Sequence, residues 1–229
     1  MSLQKKLQTR GILLLLSFFV VLAVIFSPVF PGKVNGLDYM DNLFNMISKG
    51  SSYFIPASKD ESSKYVGTII EATIKLANEA KAGQVAQLIG GGGAEVVVNG
   101  SELQVKGDMG AMLQRCLDDA DLMFKNQGEM LQDKYGLSAQ EVLHGWWVAF
   151  SALSKELTRQ ESFKEAKELA NVQKRVIEPS YNYYGVEAQN WKENLWLIVA
   201  ALAFYVVYTL WYGFGIMYIF EGLGMKIGH

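Results

Sequence analysis

Two stretches of the chain have no polar rhythm, and everything between them does. Gly11 to Phe30 reads GILLLLSFFVVLAVIFSPVF, twenty positions without a charge, and Leu195 to Phe220 reads LWLIVAALAFYVVYTLWYGFGIMYIF, 26 positions without one. As helices they would be about 30 Å and about 39 Å long, enough to cross the hydrocarbon of a bilayer. The second must tilt or leave part of its length in the interface. Trp196 at one end, with Trp211, Tyr212 and Tyr218 toward the other, suits the two aromatic belts. The first reads as an uncleaved signal anchor. Its apolar core exceeds the roughly 7–15 residues of a cleaved signal peptide, and SPVFPGKVNG offers no small-x-small cleavage site after it.

Between the spans, apolar positions recur at the helical spacing of three and four. Asp38 to Lys49 predicts a short helix with Leu37, Met40, Phe44 and Ile47 on one side, ending at Gly50. After the loop SSYFIPAS, Ser58 and Glu61 form a capping box. The helix they open would carry Val66, Ile69, Ile70, Thr73, Leu76, Ala77 and Ala80 on one face and run to Ile89. Gly90 to Gly93 stop it, because each glycine costs about 1 kcal/mol in a helix interior. EVVV, Asn99-Gly100 and SELQV then predict a hairpin closed by a type I′ turn, which must lie against the helices or a partner. Asp108 caps a third helix with Met109, Met112, Leu113, Cys116, Leu117, Ala120, Met123, Phe124 and Leu131 in its stripe, ending near Gly136. Ser138 and Glu141 box a fourth, with Leu143, Trp146, Trp147, Phe150, Leu153 and Leu157. Ser162 and Glu165 restart the pattern for Phe163, Ala166, Leu169, Ala170 and Val176, and Pro179 ends it. Pro179 to Gln189 reads as an ordered, membrane-proximal connector. The fold class is therefore mainly α: two transmembrane helices (11–31 and 194–220) flank an extracytoplasmic helical bundle (32–193) with one small β-hairpin, and short tails (1–10 and 221–229) are cytoplasmic.

Composition sharpens this picture by its distribution. Half of all residues are hydrophobic, mean hydropathy is +0.12 and the formal charge is −2. Residues 32–193, however, are of ordinary globular composition, about 43% apolar. Lys5, Lys6 and Arg10 precede the first span with no acid among them, while Gln189 to Asn194 carries one Lys and one Glu. The positive-inside rule then puts the N-terminus in the cytoplasm, and two crossings return the C-terminus, with Lys226, to the same side. The middle, with 17 basic and 22 acidic residues, faces outward at a net −5. Tails of about ten residues leave no room for a cytoplasmic kinase, nucleotide-binding domain or transcription factor, and the charge balance excludes a basic nucleic-acid module.

Candidate chemistry is sparse. Cys116 stands alone on an apolar stripe, so it is expected to be a buried, inert thiol. His144 borders the Leu143/Trp147 stripe and His229 is terminal; no HExxH, CxxC, HxH or GxSxG spacing occurs, so no catalytic, cofactor-binding or metal-ligating residues are assigned. Asp118, Asp119 and Asp121 lack the ligand spacing of an EF-hand loop and read as a solvated face. The glycine run lacks the Lys-Ser/Thr ending of a P-loop. Asn99-Gly100-Ser101 matches a glycosylation sequon that the turn already explains. On the second span, Ala201, Tyr205, Tyr208, Tyr212 and Gly215 share one helical face, a candidate helix-packing or partner face. Its occupant is the first span, a partner subunit, or a bound quinone or lipid, with Val199, Leu202 and Val206 left for acyl chains.

Ser51 to Ser58, followed by a long helix, and the pattern from Phe163 through Pro179 to Gly185 resemble segments of an uncharacterised family of bacterial inner-membrane proteins with a large periplasmic helical domain. The resemblance covers about half of the central domain and rests on no catalytic motif. It implies a bacterial inner membrane and a periplasmic domain. Members of that family have a single N-terminal span, from which the second span here departs.

The expected function is that of a non-enzymatic inner-membrane protein. Its periplasmic domain would bind or position a membrane or periplasmic protein, or a second copy of the chain, as a subunit or accessory factor of a membrane assembly. The alternative is a periplasmic ligand-sensing module signalling through a separate cytoplasmic partner. A membrane-surface enzyme is disfavoured, because one internal histidine leaves only carboxylates for general acid–base work.

Overall fold

The computed structural model describes residues 2–225; Lys226 and His229 lie outside the described residues. Contacts divide the chain into two compact units, one made of the segments through Ser48 and from Ala188 onward, the other of Lys49–Glu187.

The first unit is built on two helices, each long and apolar enough to cross a membrane, α1 (Leu3–Ile25) and α10 (Leu195–Gly222). α1 starts earlier than the uncharged run, because the Ser2 hydroxyl accepts from Lys5 N at 3.4 Å and caps it. Lys5, Lys6 and Arg10 therefore ride on its first turns. It stops before Pro28, whose ring disfavours helical backbone at the residue ahead of it. α1 and α10 lie side by side: Gly11 approaches Gly215 and Ile219, and the Gln8 side-chain amide donates to the Gly222 carbonyl at 2.9 Å. Helix α2 (Gly36–Ser51) follows the prolines.

The second unit departs from the predicted helix over 58–89. Pro56, with its φ already set for a first turn, lets α3 (Ile55–Ser62) begin ahead of Ser58, which is buried inside it. The Ser58–Glu61 box therefore does not form. After a single 3₁₀ turn (Ser63–Tyr65) the chain extends into β1 (Ile69–Lys75). Ile70, Ala72 and Ile74 point into the core while Ile69, Glu71, Thr73 and Lys75 face out, the two-residue alternation of a strand. A separate helix α4 (Glu79–Gly90) starts where Asn78 accepts from Lys81 N at 2.9 Å, and the glycine run ends it.

The expected hairpin is present as β2 (Glu95–Asn99) and β3 (Glu102–Asp108), but β1 pairs with the far side of β3. The result is a three-stranded antiparallel sheet in the order β1-β3-β2, with Ala72 opposite Val105 and Ile74 opposite Leu103. The turn also differs. Asn99 pairs with Glu102, so Gly100 and Ser101 are its central residues, and only Gly100 has positive φ, at 60°. Glycine leading the central pair is the type II′ pattern.

Asp108 caps α5 (Met109–Phe124) as expected, accepting from Gly110 N at 2.8 Å and Ala111 N at 3.3 Å. Its carboxylate also takes Gly67 N at 2.8 Å, tying the approach to β1 to the start of α5. These amide bonds hold the Asp108 carboxyl below its ordinary range, Gly67's contributing most. Leu131 falls on a separate helix, α6 (Gly128–Tyr135), which Gly136 ends at φ 69°. α7 (Ala139–Arg159) has the full Ser138–Glu141 capping box. α8 (Phe163–Val172) does not end at Pro179: a π-helical turn (Gln173–Ile177) carries it into α9 (Glu178–Asn182), whose first turn holds the proline. Trp146, Phe150, Leu88, Leu103, Met109, Leu113, Leu117 and Met123 form a core closed to solvent.

Gly110 shows how tightly α5 meets the strand approach. A Cβ there would lie 2.6 Å from Val66 Cα and would also collide with Val66 N. Gly110→Ala should gain about 1 kcal/mol of helix propensity and lose more to backbone displacement, typically 1–3 kcal/mol. We expect a net destabilisation in chemical denaturation; a stabilised variant would show that the contact yields freely.

Candidate functional site

The aromatic face predicted on α10 is divided by the helix pair. Tyr208 stacks on Phe18 with ring centroids 4.2 Å apart and donates its hydroxyl to the Phe18 carbonyl at 3.3 Å. Tyr212 leans on the same ring at 5.1 Å, Gly215 is buried beside Leu14 and Leu15, and Ala201 is half-buried. Tyr205 is 68% exposed. Val199, Leu202 and Val206 are exposed, as expected. Trp211 and Tyr212 lie only about 4–5 Å along the axis from the α10 midpoint, so of the predicted aromatic group only Tyr218 lies toward the helix end.

The acidic cluster on α5 does not form one solvated face. Asp118 pairs with Lys59 at 2.6 Å, and Asp121 accepts from Tyr53 at 2.8 Å and Lys125 at 2.7 Å. Asp119 is fully buried and accepts three bonds: Lys134 Nζ at 2.7 Å, the Tyr135 hydroxyl at 2.6 Å and Trp146 Nε1 at 2.8 Å. Its burial had a signal in the sequence, since it stands three residues after Cys116 and four before Met123, in phase with the core stripe. Burial pushes the Tyr135 phenol well above its ordinary range, and the Asp119 bond and charge push it further. Cys116 is buried as expected, and desolvation with the nearby Asp119 charge raises its thiol far above the usual range. A protonated thiol and a carboxylate closed by three donors make a structural hub, without a group poised to exchange protons.

A second cluster joins the two places where the chain enters and leaves this unit. Lys49, 2% exposed, donates from Nζ to Asn126 Oδ1 at 2.9 Å and to the Val186 carbonyl at 2.6 Å. Asn126, at φ 59°, also accepts from Gly185 N at 2.8 Å and donates to the Val186 carbonyl at 3.1 Å and to Glu187 at 3.2 Å. Burial pulls the Lys49 pKa down, and the Glu187 charge opposes that pull. Both ends of the unit are thus fastened to one loop residue, and the connector read from Pro179 onward is ordered through Glu187.

A groove of mixed chemistry lies between α7 and α9. Leu143, His144, Trp147, Ile177, Glu178, Tyr181 and Asn182 line a cavity of about 280 Å³. Trp147 Nε1 donates to Glu178 Oε1 at 3.1 Å, and the His144 ring lies nearly parallel to Trp147 at 6.5 Å. Trp147 is 38% exposed and Tyr181 42%. The π turn is what brings α9 here. One extra residue in a turn rotates all that follows by about 100°, and such turns are frequent at functional sites. Gln173, inside it, donates to the Trp147 carbonyl at 3.3 Å. The residue spacing alone assigns Trp147 to a core stripe and His144 to its border. The groove was hidden because it needs the π turn, which the residue pattern does not announce.

Comparison of the chain with protein-family models, curated proteins and solved structures finds no match.

Proposed function

We propose that the chain is a non-enzymatic membrane protein whose central unit, held outside the cytoplasm between two spans, binds or positions a protein partner through the Trp147–Tyr181 groove. It would act as a subunit or accessory factor of a membrane assembly. The observation that carries this reading is the groove itself: two exposed aromatic side chains, Trp147 and Tyr181, of the types that dominate binding energy at protein interfaces, lining one cavity with the Glu178 carboxylate. The two long apolar helices support membrane anchoring, and Lys5, Lys6 and Arg10 support a cytoplasmic N-terminus; the bacterial inner membrane is what the resemblance implies. The thiol and carboxylate hub around Asp119 is closed, which favours binding over chemistry.

A photo-crosslinking amino acid placed at Tyr181 of the full chain in its native membrane should give a discrete adduct that the same probe at Val97, on the sheet, does not. Equal or absent labelling at the two positions overturns the reading.

A ligand-sensing role is the second reading, and one observation favours it. Glu178, Tyr181 and Asn182 lie on the helix that runs directly into the fastened segment Gly185–Glu187, so a ligand shifting α9 would pull on the chain leaving the unit. A metabolite that raises the melting temperature of the purified full chain, with no adduct at Tyr181, would favour sensing over partner binding.

A further inference from the structure

We infer that the groove receives an organic cation, a guanidinium or alkylammonium group, and that its source is a basic side chain of the protein partner; the second part rests on the partner-binding reading above. Glu178 carries the argument. Trp147 Nε1 occupies one of its oxygens, no lysine or arginine lines the groove, and among the described residues Glu178 has no ion-pair partner. An anion would meet this carboxylate head-on. A neutral apolar group would strip its water and give nothing back.

The rings point the same way. Elsewhere in the unit the chain supplies cations to its own aromatic rings: Lys49 over Phe124, Lys125 over Tyr53, Arg115 and Lys134 over Tyr135, and Arg175 over Phe54, all between 5.0 and 5.9 Å. Among the described residues neither Trp147 nor Tyr181 has such a cation, although both are more than a third exposed and flank a carboxylate. A planar cation in the groove gains the Coulomb attraction of Glu178 and, over either exposed ring, the attraction of the ring quadrupole. The net −5 of residues 32–193 also favours a basic partner segment.

The test uses the full chain in detergent and two probes, acetylarginine methylamide and its neutral isostere acetylcitrulline methylamide, titrated by calorimetry. Saturable binding of the arginine probe is expected, with none for citrulline. Glu178→Gln, which keeps an acceptor for Trp147 Nε1 and so leaves the fold intact, should weaken binding at least tenfold. Equal binding of the two probes, unchanged affinity in E178Q, or no saturable binding overturns the cation site. That result leaves a Tyr181 adduct standing, so failure here is distinct from failure of the partner reading. Excess arginine probe should also suppress the Tyr181 adduct in membranes. Binding that depends on Glu178 but leaves the adduct undiminished overturns the partner as the source of the cation.

Discussion

Asp119→Ala is expected to destabilise the central unit by about 3–5 kcal/mol, since it leaves buried donors without an acceptor. Trp146 is fully buried, so its Nε1–H can find no water in place of the carboxylate, and Tyr135, 6% exposed, is little better placed. Lys134, 34% exposed at its side chain, can turn outward and contributes less. Asp119→Asn should recover only part of the loss. Both carboxylate oxygens accept in the native protein, and an amide offers one acceptor and one NH₂ that would face a donor. Cys116 provides the readout besides chemical denaturation. It is the chain's only cysteine and fully buried, so its rate of maleimide labelling reports opening of the unit. A loss of 3 kcal/mol corresponds to a labelling rate raised by roughly a hundredfold. An Asp119→Ala protein within 1 kcal/mol of wild type would show that the three donors find other partners.

Gly11→Leu is expected to separate α1 from α10. A Cβ at Gly11 would lie 2.7 Å from the Gly215 carbonyl oxygen and 2.8 Å from Ile219 N, both backbone atoms that no rotamer change can move. Small residues at such crossings let helices associate in lipid, where apolar burial gives no net drive, so the pair should part and lose the Tyr208–Phe18 contact. A Cβ on Gly215 would stand 3.5 Å from Leu14 Cβ, within the range a disulfide spans, and its closer approaches, 2.8 Å and 3.0 Å, are to Leu15 side-chain atoms that a rotamer change can move, unlike the backbone met at Gly11. Cysteines at Leu14 and Gly215 should therefore crosslink readily in membranes, with Cys116 silent, and adding Gly11→Leu should cut the yield tenfold or more. Undiminished crosslinking would mean that the helices absorb the side chain without moving apart.

Some elements needed no tertiary information because their causes are local. The Ser138–Glu141 box, the Asp108 cap, the stop at Gly90–Gly93 and the two uncharged runs each work through neighbours a few residues away. Residues 66–80 failed for the opposite reason. Ile69-Ile70-Glu71-Ala72-Thr73-Ile74-Lys75 satisfies a two-residue alternation as well as a helical spacing, and the choice rests with β3, some thirty residues downstream, whose free edge pairs with it. The α10 face was legible as a face, but only the approach of α1 decided that Tyr208 and Tyr212 engage Phe18 while Tyr205 stays exposed.

By itself the sequence determined two apolar terminal helices, a helical body between them and the caps at Asp108 and Ser138, because charge, hydropathy and hydrogen-bonding end groups act over one or two helical turns. Only the tertiary structure decided the third strand, the three donors that meet Asp119, the Lys49–Asn126 junction and the Trp147–Glu178–Tyr181 groove. Each joins residues far apart in the chain, and their relation is set by packing and by the extra residue of a π turn rather than by any local pattern.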